Sequence, residues 1–204
     1  MSLDDDLRRV KEKMAALPSH RDSEGRPPSD PAAWRPEAAV AAWEAGHGVA
    51  LPADYRAFIT RVAGSGDWPH HGLIGLGAAD RDKTDAPDPA APFPFSPAGP
   101  LTPADETAYR GALGRGEPDR GWIPLCTEGC GMDTILVVTA VDPGTAGTVW
   151  YFDVAHDCGV LPMVHPSTGA PLRFLEWFEL CLDARASGEE PCGSDLVPSE
   201  FLPW

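Results

Sequence analysis

The stretch WIPLCTEGCGMDTILVVTAVDPGTAGTVWYFD, Trp122 to Asp153, decides the fold of this chain. It contains three segments rich in the β-branched and aromatic residues that are typical of β-strands: 122–125, 134–141 and 148–154. Asp142, Pro143 and Gly144 supply a turn between the last two segments. The stretch therefore predicts three neighbouring strands, and Val160 to Val164 is a candidate fourth strand.

Helical patterns lie on both sides of this stretch. Apolar residues recur every three or four positions in three segments before it, which begin at Leu3, Pro36 and Leu51. Ser2 is expected to cap the first helix and Pro18 to end it. After the strands, Pro171 is expected to open a closing helix. Because helices precede and follow the strands instead of alternating with them, we predict an α+β fold with a mainly antiparallel sheet.

Two connecting regions separate the third helix from the central strands. Gly64 is expected to end that helix, and residues 72–76 are predicted as a short strand. Residues 78–121 hold eight prolines and five glycines, and we interpret them as a long loop or insertion with one short helix near 103–113. The predicted organisation is an N-terminal helix and linker (1–35), an α+β domain that contains the 78–121 insertion (36–186), and a C-terminal tail (187–204).

The composition excludes several classes of function. Lys and Arg total 16 and Asp and Glu total 31 among 204 residues, which gives a net charge of −15. That charge repels nucleic-acid phosphate, so direct binding to DNA or RNA is not expected. The first residues carry acids where a signal peptide needs bases, and no apolar run approaches the roughly 20 residues of a membrane helix. The five cysteines are an odd number, which argues against a disulfide framework. We therefore predict a cytoplasmic protein with reduced thiols and no membrane association.

The side chains that carry out common enzyme chemistry do not form a recognised motif. The sequence has no G-x-S-x-G nucleophile elbow and no G-x-x-x-x-G-K phosphate loop. A zinc site can be drawn from Cys126, Cys130, His156 and Cys158, but structural zinc sites usually use the tighter C-x-x-C spacing. We therefore expect packed or turn cysteines, no metal, no cofactor and no enzyme activity. A small metal-dependent hydrolase built on those four residues stays the least favoured alternative.

Acidic residues gather near the predicted strand ends and in the preceding loop. Those near the strands are Glu128, Asp133, Asp153 and Asp157, and those in the loop include Asp80, Asp82 and Asp85. They are interpreted either as a solvated rim or as an anionic face that contacts a basic partner. Asp67 and Trp68 lie in a glycine-rich connection, where Trp68 is a candidate anchor for a protein partner or a side chain folded back onto the sheet. These nine residues are the predicted partner-binding set.

Three segments, in this order, resemble the SUKH superfamily of cell-wall-assembly-regulator and Syd-like domains. LPADYRAFITRVAG (51–64), followed by GLIGL, is similar to the opening of the family. The Trp122–Asp153 stretch is similar to its central hairpin, with a Trp-hydrophobic-Pro strand, a Gly-Cys-Gly turn and a Gly-x-Val-Trp strand. PLRFLEWFELCLD (171–183) resembles its closing helix. The resemblance covers roughly Pro36 to Arg185 and leaves out the first helix, the insertion and the tail.

The resemblance implies a function in protein binding without a catalytic apparatus. Bacterial members of the superfamily are mostly immunity proteins, which bind and neutralise toxin domains delivered between competing cells. An acidic chain would be steered towards a basic, nuclease-like toxin domain. We therefore predict an immunity protein that is a monomer or a weak dimer. A regulatory scaffold that binds a host protein is the alternative that the regulator branch of the family suggests.

Overall fold

A computed structural model describes residues 2–17, 34–66, 69–78, 87–96, 119–189 and 193–199. Three helices come first: α1 (Leu3–Ala16), α2 (Glu37–His47) and α3 (Ala53–Arg61). Four strands follow: β1 (Trp122–Gly129), β2 (Met132–Val137), β3 (Val149–Asp153) and β4 (Gly159–Pro162). Helix α4 (Phe174–Ala186) and a 3₁₀ turn (Gly193–Leu196) complete the described elements. This arrangement confirms the predicted α+β class.

The four strands form one antiparallel sheet in the order β1-β2-β3-β4. The sequence therefore predicted the strands correctly, although β1 extends four residues further than expected, to Gly129. The short strand predicted at 72–76 is wrong, because only Leu73 forms an isolated bridge, to Gly66. Gly72 has a φ of 110°, which breaks the extended path, and Ile74 instead donates its N–H to the Leu125 carbonyl of β1 at 2.7 Å.

The helix ends follow local chemistry. Ser2 caps α1 as predicted and forms a capping box with Asp5, and the helix ends just before Pro18. Helix α2 ends at Gly48, whose φ of 68° is left-handed. Helix α4 begins three residues after the predicted start at Pro171, because 171 and 172 are still bonded to the strand region. Helix α3 stops at Arg61, so Gly64 lies beyond its end.

Each face of the sheet has its own cover. Alternation along the strands places Trp150 and Tyr151 on opposite faces. Phe93, from the 78–121 insertion, is fully buried and meets the Trp150 ring edge-on, with 4.9 Å between ring centroids. The other face carries Cys126, which lies near Cys181 of α4. Phe93 therefore anchors the 87–96 segment of the insertion to the core, while the helix predicted at 103–113 lies outside the described residues.

Helix α1 packs mainly on α4 and also reaches α3. Leu7 and Val10 of α1 are buried. Arg9 donates to both carboxylate oxygens of Glu179, at 2.6 and 2.8 Å, and these hydrogen bonds lower the pKa of Glu179 below its ordinary value of 4.5. Lys13 pairs with Glu179 at 2.9 Å and with Asp183 at 2.6 Å. No helix in the described part of the chain is long and apolar enough to span a membrane.

Replacing Gly121 tests the attachment of the insertion to the sheet. Gly121 has a φ of 79°, and a Cβ there would lie 2.3 Å from the Phe93 nitrogen and 2.4 Å from the Thr139 carbonyl oxygen. We expect Gly121→Ala to lower the free energy of unfolding by about 3 kcal/mol or more, measured by urea denaturation. Gly169→Ala is the control, because Gly169 has a φ of 66° but open space around it, and we expect a loss of about 1 kcal/mol. Equal losses would refute the predicted clash.

The ion pair of Glu179 should make the free energy of unfolding depend on pH in the acid range. Because the pKa of Glu179 is lower in the folded chain, its contribution is fully present above about pH 4.5 and is lost as the pH falls through the folded value. We expect Glu179→Gln to cost about 1–2 kcal/mol at pH 7 and progressively less as the pH falls below about 4.5. Urea denaturation across that range measures the difference. Glu12→Gln, at a side chain that is 71% exposed, should change little across the same range. A Glu179→Gln cost independent of pH would contradict this account.

Candidate functional site

Three chain segments meet at one end of the sheet. The turn between β1 and β2 lies beside the turn after β3, since Val154 donates its N–H to the Gly131 carbonyl at 3.0 Å. Residues 69–72 join them, because His71 donates its N–H to the Thr127 carbonyl at 3.4 Å. We call this region the hairpin end and define it as residues 69–72, 128–132 and 153–158. It combines part of the glycine-rich connection that follows α3 with the acidic strand ends of the predicted partner-binding set.

The hairpin end contains strained backbone. In the described part of the chain, the non-glycine residues with positive φ are His70 at 51°, Cys130 at 54° and Asp157 at 57°, and all three lie in this region. The left-handed conformation costs a non-glycine residue of order 1–2 kcal/mol, and such strain tends to cluster at functional sites. Cys130 is exposed between Gly129 and Gly131, which also have positive φ. This concentration of strain makes the hairpin end the candidate site.

Asp153 holds the turn after β3 from inside. Its residue is fully buried, and its carboxylate accepts the His156 backbone N–H at 3.0 Å. The same carboxylate lies 3.0 Å from Nδ1 of the His156 ring, which favours the tautomer with a proton on Nδ1. About half of the His156 side chain, 46%, is exposed. Asp153 therefore fixes the orientation of a surface imidazole.

Glu128 joins the hairpin to the other segments. Its side chain is only 5% exposed, and its Oε1 accepts the Gly193 N–H at 2.8 Å and lies 3.6 Å from Nε2 of His70. Val164 donates its N–H to the Leu196 carbonyl at 2.8 Å. The tail residues 193–199 are therefore packed against the domain, and one carboxylate contacts two segments that are distant in sequence.

The predicted partner-binding residues have different positions in the structure. Asp67, Trp68, Asp80, Asp82 and Asp85 lie outside the described residues. Asp133 and Asp153 are 4% and 0% exposed, and the Glu128 side chain is also buried, so their carboxylates are not available at the surface for a partner to contact. Asp157 is exposed. The strand-end acids therefore do not form a shared anionic face, because most of them point inward to hold backbone and side-chain groups.

The exposed side chains of the hairpin end are chemically mixed. They are His71, Cys130, Val154, Ala155, His156 and Asp157. Val154 is 47% exposed and is one of three large apolar side chains exposed in the described chain. Sequence reasoning missed Val154, since a valine that ends a β-rich segment is read as core. An apolar side chain surrounded by polar groups is a common arrangement at protein interfaces.

The described cysteines differ in exposure. Cys126, Cys158 and Cys181 are buried as reduced thiols, whereas Cys130 is exposed. Burial raises the pKa of the Cys126 thiol to about 12, so this thiol stays protonated at neutral pH. Among the residues that the structure describes, no three His, Cys, Asp or Glu side chains come together as metal ligands. The four residues proposed for a zinc site therefore do not form one cluster.

A family model matches the central part of the chain. Residues 36–170 match the model of the SMI1 / KNR4 family (SUKH-1). The match includes α2, α3 and all four strands, and it ends before α4. No curated protein and no solved structure matches the chain.

Relief of strain at Cys130 should be measurable. Glycine adopts a φ of 54° without the Cβ penalty, so we expect Cys130→Gly to raise the free energy of unfolding by about 0.5–1 kcal/mol. Cys130→Ala keeps the Cβ and controls for the loss of the thiol, with no expected gain. Urea denaturation under reducing conditions measures both variants. A loss of stability in Cys130→Gly would show that the conformation of this turn is not strained.

Proposed function

Because the chain belongs to the SMI1/KNR4 family (SUKH-1), we propose that it is a non-enzymatic protein-binding domain that acts as an immunity protein. Its partner is a toxin domain, which it neutralises by direct binding. The observation that carries the choice of surface is the strain at the hairpin end, where three non-glycine residues have positive φ. Left-handed non-glycine residues tend to cluster at functional sites.

The hairpin end is built to bind without rearrangement. Buried Asp153 fixes the turn that carries Val154 and His156, and buried Glu128 fixes the Gly193 and His70 segments against the β1–β2 hairpin. Surface side chains held on a rigid backbone lose less entropy when a partner binds. Val154 supplies the apolar centre of the interface, and His71, His156 and Asp157 supply polar contacts around it.

The acidity of the chain acts mainly at long range. The net charge of −15 attracts a basic toxin domain and raises its association rate, while few of the strand-end carboxylates can contact it directly. Asp67 and Trp68 directly precede the 69–72 segment of the hairpin end, so they remain in the proposed contact surface. The loop acids Asp80, Asp82 and Asp85 remain proposed contributors to the attractive field.

Two exposed valines allow a matched test of this surface. Val154 lies at the hairpin end, whereas Val141, 70% exposed, follows β2 at the opposite end of the sheet. The partner is first captured from the native cytosol and identified by mass spectrometry, and its affinity for purified variants is then measured by calorimetry. We expect Val154→Asp to weaken binding at least about tenfold, since a buried unpaired carboxylate is costly, and Val141→Asp to change it little.

The identity of the partner and the salt dependence of its binding distinguish an immunity protein from a regulatory scaffold. A stoichiometric partner with a basic toxin domain, bound less tightly as salt rises, supports an immunity protein that uses electrostatic attraction. A host protein without toxin activity would identify a regulatory scaffold instead. Equal effects of the two valine substitutions would place the interface elsewhere. Absence of any partner would count against a binding domain.

A further inference from the structure

The hairpin end has a charge that protonation of its histidines can cancel. It contains neither Lys nor Arg, but it contains three acids, Glu128, Asp153 and Asp157, and three histidines, His70, His71 and His156. Its formal charge is therefore −3 when the imidazoles are neutral and zero when all three are protonated. Carboxylates ordinarily stay ionised above about pH 5, whereas histidine ordinarily changes its charge between about pH 5 and 8. Mild acid can thus remove the negative charge of this surface while its carboxylates stay ionised.

Two of these imidazoles lie against buried carboxylates. Nδ1 of His156 is 3.0 Å from an oxygen of Asp153, and Nε2 of His70 is 3.6 Å from Oε1 of Glu128. The Asp153 and Glu128 side chains are 0% and 5% exposed, so water screens these pairs poorly. At such short distances a proton on the imidazole cancels the charge of the carboxylate behind it. Each buried carboxylate therefore attracts cations at the surface only while its imidazole is neutral.

The two exposed imidazoles lie near the apolar side chain of the proposed interface. The His71 ring lies beside the β1–β2 turn, since a Cβ at Gly129 would be 3.4 Å from its Nε2. Val154 lies beside the same turn, where a Cβ at Gly131 would be 3.5 Å from the Val154 Cβ. His156 follows Val154 by two residues and is 46% exposed. A partner that covers Val154 therefore also lies close to His71 and His156.

We propose that binding at the hairpin end is switched by pH: protonation of His71 and His156 releases a partner whose contact surface is cationic. This inference rests on the proposed function, because it takes the hairpin end as the contact surface. With neutral imidazoles, the three carboxylates attract cationic side chains of the partner. With imidazolium rings, that attraction is lost and positive charges are buried against positive charges, which is costly. The chain thus binds near neutral pH and releases its partner in mild acid.

The groups around the histidines titrate outside this range of pH. Besides the three carboxylates already named, they are the buried Asp133 of β2, the exposed Asp195 of the 3₁₀ turn, and the thiols of Cys126, Cys130, Cys158 and Cys181. Acids ordinarily titrate below about pH 5 and thiols above about pH 8. Burial moves the pKa of the Cys126 thiol still further from neutrality, to about 12. The imidazoles therefore account for the change of charge in mild acid.

An oligoarginine peptide tests the charge switch without the natural partner. Its contacts are mapped by the amide NMR shifts of the isotope-labelled full-length chain, recorded at about pH 7.5 and about pH 5.5 at one ionic strength. We expect the peptide to shift the Gly131 and Val154 amides at the higher pH, and to shift them at least about threefold less at the lower pH. Equal shifts at both pH values, larger shifts in acid, or no shift of these amides at the higher pH would overturn the inference.

A histidine double variant tests the switch with the partner captured from the native cytosol. The affinity of the wild-type chain, measured by calorimetry, should be at least about tenfold lower at about pH 5.5 than at about pH 7.5. Glutamine stays neutral, so in His71→Gln/His156→Gln we expect this ratio to fall to about threefold or less. Comparison of the two chains cancels any titration of the partner's own groups. His47→Gln is the matched control and should keep the full ratio, because His47 is exposed at the end of α2, outside the hairpin end.

The outcomes separate this inference from the proposed function. If Val154→Asp weakens binding but the wild type and the double variant have the same pH ratio, the hairpin end remains the interface and the switch is wrong. If Val154→Asp has no effect on binding, the proposed surface is wrong and the inference falls with it. If no partner is captured, or the double variant does not fold, the oligoarginine shifts of the wild-type chain decide. A smaller pH ratio in the double variant, with the control unchanged, supports the switch.

Discussion

Burial of both faces of a four-stranded antiparallel sheet is the constraint on which the rest of this structure depends. Every residue of β3 and β4 is buried, whereas many antiparallel sheets leave one face in water. Such a sheet requires a cover on each side, and the chain supplies two unlike ones. Phe93 of the insertion packs against Trp150 on one face, and α4 lies over Cys126 on the other. The apolar face of α4 extends beyond the sheet and is also covered by α3, where Phe58 meets Phe174 and Phe178, and by α1.

The same constraint explains why buried carboxylates and their hydrogen-bond partners gather at the ends of the strands. Polar groups inside a doubly covered sheet must be satisfied within the protein, because water does not reach them. Glu128 and Asp153 therefore direct their carboxylates inward, to the Gly193 N–H and to the His156 N–H and ring. Cys130 and Gly131 form the two-residue connection between Gly129 and Met132, and a tight hairpin of this length requires positive φ at both residues. The carboxylates and this turn together make the backbone of the hairpin end rigid.

The strands and most of the helices could be predicted from the sequence, but the direction in which each acidic side chain points could not. Composition and turn residues located β2 and β3, and the Ser2 cap located α1, because these signals act between residues close in sequence. The burial of Glu128 depends on Gly193, 65 residues away, and that of Asp133 and Asp153 depends on what covers each face. A charged residue at a strand end is usually solvated, so sequence reasoning assigned all four strand-end acids to the surface.

The family match bears on how the candidate site is held. Residues 36–170 contain the whole hairpin end, so its strands and turns belong to the matched fold. The 3₁₀ turn that contains Gly193 lies beyond the match. Because the Glu128 carboxylate accepts the Gly193 N–H, one support of the hairpin end comes from outside the matched residues. Asp153 holds the neighbouring turn from within the match, through the His156 N–H. With both turns held by buried carboxylates, binding at the hairpin end can proceed on a fixed backbone.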